Sequence, residues 1–270
     1  MKVGFVQFNP RFGDISGNIE QALGLAESAD AELLVLPELF NTGYLFASPH
    51  EVAELSEEVP GGRTTEALSD LARRKKAWII GGLAERDSDV FYNSAVLAGP
   101  DGYHDTYRKI HLFSEEKKWF QPGNRGFRVY DIGECTIGIM ICFDWIFPES
   151  VRTLSLMGAQ VICHAANLVL PYCQESMKTR CLENRVFSIT ANRTGTETRG
   201  GQTLSYTGRS RIIAPDTEVL HTAGEDTDEA GVVDIDPERA LDKQLNPYNN
   251  LFGDRRVEFY GRLLKKQGGR

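Results

Sequence analysis

The sequence predicts a layered α/β protein, because apolar runs suited to strands alternate with amphipathic segments suited to helices over most of the chain. Seven runs rich in β-branched residues, each bounded by Gly, Pro, Asn or Asp, predict strands at 2–8, 32–36, 77–83, 91–98, 126–131, 135–142 and 160–164. Several runs are apolar throughout, which is typical of strands buried on both faces. The pattern alone leaves a doubly wound sheet, a barrel and a sandwich of two sheets as alternatives.

The spacing of apolar residues predicts four helices, at 18–28, at 64–76, from Pro148 onwards and at roughly 174–187. Ile19, Ala22 and Ala26 form part of the apolar stripe of the first helix. Proline suits the first position of a helix, and Glu149 places a negative charge near the positive end of the helix dipole. Further strands are predicted at 187–192 and 231–235, and the chain from about residue 205 is richer in strands and turns.

The composition is that of one globular domain spanning 1–270, with 41% hydrophobic and 25% charged residues and no linker-like segment. A formal charge of −8 argues against a nucleic-acid partner, because such binding depends on clustered Lys and Arg. The first apolar run is too short for a signal peptide or membrane span, so a cytoplasmic protein without a membrane partner is expected.

Five cysteines without C-x-x-C spacing fit free thiols in a reducing compartment. Core packing is the favoured interpretation of four of them, Cys135, Cys163, Cys173 and Cys181, to which the sequence assigns no role. Cys142 differs, because it ends the apolar run 136–141 and precedes Phe143-Asp-Trp and the helix beginning at Pro148. A strand-to-helix turn projects a nucleophile into a cleft, and the Phe143 amide N–H can then donate to a developing oxyanion.

Glu38 and Lys109 are the candidate partners of this cysteine. Glu38 ends the apolar segment 33–37, and near apolar walls the pKa of such a carboxyl rises toward the range in which it accepts a thiol proton. Lys109 has apolar neighbours, so its ammonium could hold a carboxylate or stabilise an oxyanion. Glu116, seven residues on, leads into an aromatic turn. The alternative role for Glu38 is to cap a nearby loop or helix. The alternative for Lys109 is a surface lysine whose aliphatic stem packs against the protein while its charge reaches water.

Three motifs in this order together resemble the nitrilase superfamily of carbon-nitrogen hydrolases: Leu-Pro-Glu38-Leu-Phe, Tyr-Arg-Lys109-Ile-His-Leu-Phe and Ile-Cys142-Phe-Asp-Trp-Ile-Phe-Pro-Glu. The similarity runs from the first strand through His164-Ala-Ala-Asn-Leu168 and the segment 181–186 to the segment 254–256. It therefore covers nearly the whole chain, and the combination is far more specific than any single motif.

The resemblance implies a four-layer α-β-β-α sandwich, assembled as a homodimer or larger homo-oligomer, with the C-terminal tail at about 245–270 packing at the dimer interface. It implies no metal and no organic cofactor. Glu38 matches the family's general base, Lys109 its cationic stabiliser and Cys142 its nucleophile, while Glu116 matches the second glutamate after the lysine.

The expected function is hydrolysis of a small primary carboxamide to a carboxylate and ammonia through a cysteine thioester. Phe143-Asp-Trp after the cysteine, in place of Trp-Glu, resembles the amidase and carbamoylase branches, and no arginine lies between Cys142 and Glu149 to bind a substrate carboxylate. The alternatives are a nitrilase of small aliphatic nitriles and an N-carbamoyl amine hydrolase. Candidate substrate-binding residues, chosen for their closeness in sequence to the motifs, are Tyr44, Trp145, Asn167 and Tyr172.

A different kind of hypothesis is that the chain is a binding or scaffold subunit without catalytic activity, since the same fold can be used without its catalytic function. The presence of all four polar site residues argues against it. A metal hydrolase is disfavoured too, because the five histidines are scattered without ligand spacing.

Overall fold

The computed structural model describes residues 1–266. Its strands are β1 (Lys2–Gln7), β2 (Leu33–Val35), β3 (Glu57–Glu58), β4 (Trp78–Asp87), β5 (Val90–Gly99), β6 (Gly102–Arg108), β7 (Val129–Asp131), β8 (Thr136–Ile141), β9 (Val161–Ala165), β10 (Phe187–Ala191), β11 (Thr196–Arg199), β12 (Gln202–Ser205), β13 (Arg211–Ile213), β14 (Val219–Thr222), β15 (Glu229–Asp234), β16 (Gln244–Asn246) and β17 (Asn249–Asn250). Its helices are α1 (Ile15–Ser28), α2 (Pro49–Leu55), α3 (Arg63–Lys75), α4 (Glu116–Trp119), α5 (Pro148–Leu156) and α6 (Cys173–Asn184), with short 3₁₀ turns at Cys142–Ile146, Pro237–Ala240, Val257–Phe259 and Gly261–Leu264.

Two sheets form the centre of the molecule. The first has the strand order β15-β1-β2-β4-β5-β6, with β3 paired to β4, and the second has the order β14-β13-β10-β9-β8-β7. In the first sheet β1, β2 and β4 are parallel, and in the second β8, β9 and β10 are parallel. Since β5 is antiparallel to both β4 and β6, β6 runs in the same direction as β2.

The alternation of side chains along the first sheet explains how the layers pack. Val3 and Phe5 of β1, with Leu33 of β2, belong to the core shared with the second sheet. Val6 and Leu34 point the other way and pack in a separate core with α1 and α3. Successive residues of a strand point to opposite faces, so this sheet is covered on both sides. Helices α5 and α6 contact the second sheet, which gives the order helix, sheet, sheet, helix.

Most predicted elements are confirmed, with boundaries shifted by a few residues. Helix α1 starts at Ile15, before the predicted start, because the Asp14 side chain caps it by accepting from the Gly17 N–H at 3.0 Å. Helices α2 and α4 and strand β6 were not predicted. Strand β6 is hidden in the sequence because its buried positions include Thr106 and Arg108, and the Arg108 guanidinium pairs with the buried Glu85 carboxylate.

No helix within residues 1–266 combines the length and the apolar character required to cross a membrane.

Candidate active site

Glu38 lies just beyond the carboxyl end of β2 and is completely buried. Its Oε1 accepts hydrogen bonds from Lys109 Nζ at 2.6 Å and from Asn93 Nδ2 at 2.7 Å. Its Oε2 has no hydrogen-bond partner within residues 1–266. One oxygen therefore holds the carboxylate in place while the other is free to accept a proton.

Lys109 follows the end of β6 and is also completely buried. Its Nζ lies between two carboxylates, at 2.6 Å from Glu38 Oε1 and 2.7 Å from Glu116 Oε1. Glu116, in α4, additionally accepts from the Tyr44 hydroxyl at 2.6 Å and from the Phe113 N–H at 3.2 Å. Two buried carboxylates thus share one ammonium group.

This arrangement shifts the proton affinities of the cluster. Burial raises the pKa of Glu38 to about 7; the charge of Glu116 adds to the rise, while Lys109 and the Asn93 amide oppose it. Burial lowers the pKa of Lys109, but the attraction of Glu116 and Glu38 outweighs it and holds that pKa above its usual value. Lys109 therefore stays charged, and Glu38 titrates near neutral pH.

Gly82 of β4 allows the Glu38 segment to lie directly against the sheet. The Gly82 N–H donates to the Pro37 carbonyl at 3.1 Å, and the Phe40 N–H donates to the Gly82 carbonyl at 3.0 Å. A Cβ at position 82 would lie 2.6 Å from Glu38 Cα and 2.8 Å from Leu39 N, and both are backbone atoms that cannot rotate away. Only glycine fits this approach without moving Glu38.

We expect Gly82→Ala to lower the free energy of unfolding by about 1–3 kcal/mol, because the added methyl group overpacks the site. Activity that depends on Glu38 should fall by a larger factor than the loss of stability alone explains, since Glu38 moves with the backbone. Denaturant unfolding and kcat of the folded variant measure the two effects. Gly24→Ala in α1 is the matched control, because a Cβ there meets nothing within 4 Å. Wild-type kcat in Gly82→Ala would contradict this account.

Cys142 lies at the turn from β8 into the 3₁₀ segment and has a positive φ of 38°. Such a conformation is costly for a residue with a Cβ, so the surroundings must hold it. His164 of β9 contributes, because its Nε2 lies 3.0 Å from the Cys142 carbonyl oxygen and its Nδ1 lies 3.1 Å from Thr190 Oγ1. Burial lowers the pKa of His164 to about 4, so the ring is neutral and donates through Nε2.

Asp144 holds the other side of this turn. Its Oδ2 accepts from the Ile141 N–H at 2.9 Å and from the Tyr107 hydroxyl at 2.7 Å, and its Oδ1 lies 2.7 Å from His111 Nδ1. Asp144 is fully buried. It therefore fixes the backbone on both sides of the cysteine and connects the turn to β6, which leads to Lys109.

The Cys142 thiol is buried and directed towards Asn167, whose carbonyl oxygen lies 3.6 Å from Sγ. Burial raises the pKa of this thiol well above its usual value, the charge of Glu38 raises it further, and Lys109 lowers it. The charges of Glu38 and Lys109 therefore both influence the proton affinity of the sulfur. A thiol in this state is protonated at neutral pH and requires a base before it can attack.

The structure brings three of the four predicted substrate-binding residues to the site. Trp145 and Asn167 line a small cavity together with Cys142. Tyr44 lines a neighbouring cleft with Glu116, and Phe113 lies between the two spaces and lines both. Tyr172 is 63% exposed and is not among the residues that line either space, so the structure does not bring it together with the other three.

Several residues that support the site had no assigned role in the sequence. Asn93, Asp144 and His164 are polar residues within or beside apolar strands, and that mismatch is the signal that could have drawn attention to them. Glu197 is the least obvious, because it lies on β11, far along the chain, and accepts from the Tyr44 N–H at 3.2 Å. It pairs with the buried Arg193 and so fixes the segment that carries Tyr44.

A layered α/β fold with a thiol, an ammonium group and two carboxylates gathered at its strand ends is typical of a hydrolase that works through a nucleophile. Residues 2–242 match the model of the family described as carbon-nitrogen hydrolase. The chain therefore belongs to the carbon-nitrogen hydrolase family.

Three relatives agree with this assignment. The chain is 49% identical over 265 residues to a Pyrococcus abyssi protein named nitrilase, with 97% of this chain and 100% of that protein covered. It is 32% identical over 275 residues to an (R)-stereoselective amidase of a Pseudomonas species, with 100% and 97% covered. A carbon-nitrogen hydrolase of Helicobacter pylori G27 has the same fold, with a TM-score of 0.89, 25% identity, and 98% and 99% covered. The predicted fold class and family are confirmed.

Proposed function

We propose that the protein hydrolyses a small primary carboxamide to a carboxylate and ammonia through a thioester on Cys142. The observation that carries this proposal is the buried cluster of Glu38, Lys109 and Glu116, whose charges act on the Cys142 thiol. Glu38 is the general base, Lys109 stabilises the oxyanion, and Glu116 positions Lys109.

In the first half of the reaction, Glu38 Oε2 takes the thiol proton and the Cys142 sulfur attacks the carbonyl carbon of the amide. The oxyanion accepts hydrogen bonds from the Lys109 ammonium and the Phe143 N–H. The amide N–H of Phe143 is available, because the first N–H groups of a helical turn have no partner within the turn. The tetrahedral intermediate then expels ammonia, which leaves with the proton held by Glu38.

In the second half, Glu38 takes a proton from water and the resulting hydroxide attacks the thioester carbon. The C–S bond breaks, the carboxylic acid is released, and the sulfur recovers its proton from Glu38. One carboxyl group therefore serves twice as acid and base. This role suits a pKa near 7, because the group accepts and returns a proton at similar cost near neutral pH.

A nitrile is the second candidate substrate, favoured by the name of the Pyrococcus abyssi relative. The same thiol can add to a nitrile carbon, and the protonation steps use the same base. The amide proposal is supported by Phe143-Asp-Trp after the nucleophile, and the small cavity beside Cys142 favours a small acyl group in either case. An N-carbamoyl amine is a third possibility, which would release carbon dioxide as well.

Ammonia release from matched short amides, nitriles and carbamoyl amines tests the proposal. The wild type is compared with Lys109→Met and with Lys117→Met, an exposed lysine in the same short helix as Glu116. We expect turnover of amides, its loss in Lys109→Met, and wild-type rates in Lys117→Met. Turnover of nitriles alone would move the protein to the second candidate, and ammonia formation unaffected by Lys109→Met would refute the mechanism.

We also propose that the chain forms a homodimer through its C-terminal segment. Large apolar side chains in this segment are exposed, with Tyr248 at 90%, Phe259 at 70% and Leu264 at 91%, and packing against a second copy would remove them from water. Residues 267–270 of the predicted tail lie outside the described residues. Light scattering should give twice the chain mass for the wild type and a lower mass for Tyr248→Asp with Phe259→Asp. A monomeric wild type would contradict the proposal.

A cytoplasmic location is part of the same proposal. All five cysteines are free and buried, which supports a reducing compartment.

A further inference from the structure

The cavity that contains Cys142 has no charged side chain among the residues that line it in the described part of the chain. Its walls are mainly apolar and include Phe113, Trp145, Val169 and Leu170. Val169 and Leu170 are half-buried, in the loop that follows β9. An acyl group bound to the Cys142 sulfur would therefore lie against apolar surface.

Negatively charged side chains line the cleft beside this cavity. Glu115 and Glu116 line the neighbouring cleft, which is separated from the cavity by Phe113. Lys109, which stabilises the oxyanion in the proposed mechanism, is held between two carboxylates and is not among the residues that line either space. A carboxylate on the acyl group would face the carboxylates of Glu115 and Glu116 across Phe113. Juxtaposed like charges cost several kcal/mol in a desolvated site.

The basic residues around the site are directed elsewhere. Arg180 donates to the Trp145 carbonyl at 3.3 Å and pairs with Glu183 at 3.1 Å, and Arg199 pairs with Glu51 at 2.5 Å. His111 and Lys117 line a third cavity that shares only Phe143 with the cavity of Cys142. No Lys, Arg or His side chain within residues 1–266 lines the cavity of Cys142.

Asn167 makes the cavity polar without making it charged. Its side chain is buried, at 3% exposure, and neither Nδ2 nor Oδ1 has a hydrogen-bond partner within residues 1–266. A buried carboxamide without partners is costly, so a ligand that supplies a donor or acceptor gains binding energy there. A neutral polar group satisfies both atoms of an amide, whereas a carboxylate only accepts.

We propose that this cavity selects substrates whose acyl group carries no negative charge, and that amides bearing a free carboxylate are rejected. This inference rests on the proposed function and narrows its substrate class. The loop residue Leu170 is the position at which selectivity can be changed, because it is apolar, partly exposed and in the wall of the cavity.

Hydrolysis of succinamide and succinamate tests the selection, since the two differ only by replacement of a carboxamide with a carboxylate. We expect kcat/KM for succinamide to exceed that for succinamate by on the order of 100-fold. Leu170→Arg should lower the ratio of kcat/KM for succinamide to kcat/KM for succinamate by at least about tenfold, because the arginine supplies a cation for the carboxylate. The neutral control Leu170→Gln should leave this ratio unchanged. Equal rates for the two compounds, or a preference for succinamate, would overturn the inference. Hydrolysis of neither compound, nor of any other short amide, would instead count against the proposed function.

Alkylation of Cys142 provides a test that requires no turnover. Rates of modification by iodoacetamide and iodoacetate are followed by peptide mass, and the same ratio is measured for the chain unfolded in denaturant. We expect the preference for the uncharged reagent to be at least about tenfold greater in the folded protein, because the negative site repels iodoacetate. The same ratio in folded and unfolded chains would overturn the inference even if amide hydrolysis is confirmed.

Discussion

Replacing Cys142 with alanine is expected to lower kcat by on the order of 10⁴-fold or more, because no other group in the cluster can form the covalent intermediate. Within residues 1–266 the sulfur is the only nucleophile among the residues that line the cavity, and in the proposed mechanism Glu38 takes its proton. Ammonia release measures the loss. Intact mass should show an acyl adduct on the wild type during turnover and none on Cys142→Ala.

Cys135→Ala is the matched control for this substitution. Both sulfurs belong to residues that are 5% exposed and buried in the same core, but Cys135 lies at the opposite end of β8. The control should keep wild-type activity and the acyl adduct. Persistence of activity in Cys142→Ala would exclude the thioester mechanism, whatever substrate is used.

Replacing Glu38 with glutamine is expected to lower kcat/KM by about 10²- to 10⁴-fold, the usual contribution of a general base. The substitution keeps the shape of the side chain and its contact with Asn93 but removes the ability to accept a proton. It also removes one of the two carboxylates around Lys109, so that the Lys109 ammonium forms a one-to-one ion pair with the Glu116 carboxylate. We therefore expect the variant to fold, and circular dichroism with denaturant unfolding checks this.

The wild-type pH profile should report the same group. Because the pKa of Glu38 is raised to about 7, the carboxylate is protonated below that pH, and kcat/KM should fall about tenfold per pH unit on the acid side. Glu116→Gln should move this fall to lower pH, since the charge of Glu116 contributes to the raised pKa of Glu38. The control Glu115→Gln should leave the profile in place. If kcat/KM does not change between about pH 5 and about pH 7, the result would argue against Glu38 as the base.

The cluster explains why a fold would keep two carboxylates around one buried ammonium. Lys109 lowers the pKa of Glu38, and a carboxylate paired with it alone would lack the charge of Glu116 that opposes this effect. Burial raises the pKa of Glu38 most, and the charge of Glu116 adds to the rise while Glu116 also holds Lys109 in position. The charge imbalance is therefore part of the proposed chemistry.

The sequence by itself determined the strands and helices of the α/β core and the order of the motifs. The run of apolar residues was sufficient to predict strands such as β2 and β8, because almost every residue in them is apolar and is buried on one face of the sheet or the other. It was insufficient for β6, whose buried residues Thr106 and Arg108 are polar. Burial of a polar side chain depends on a partner, and the partner of Arg108 is Glu85, on another strand.

Only the tertiary structure decided which distant side chains meet. Glu38 and Lys109 are 71 residues apart, and Tyr44 and Glu116 are 72 apart, yet each pair forms a short hydrogen bond. The common direction of β2 and β6 brings the first pair together, and no local pattern encodes that direction. Tyr172 shows the converse, because it is near the motifs in sequence but exposed to solvent. Local propensity fixes elements, whereas burial and long-range pairing fix the site.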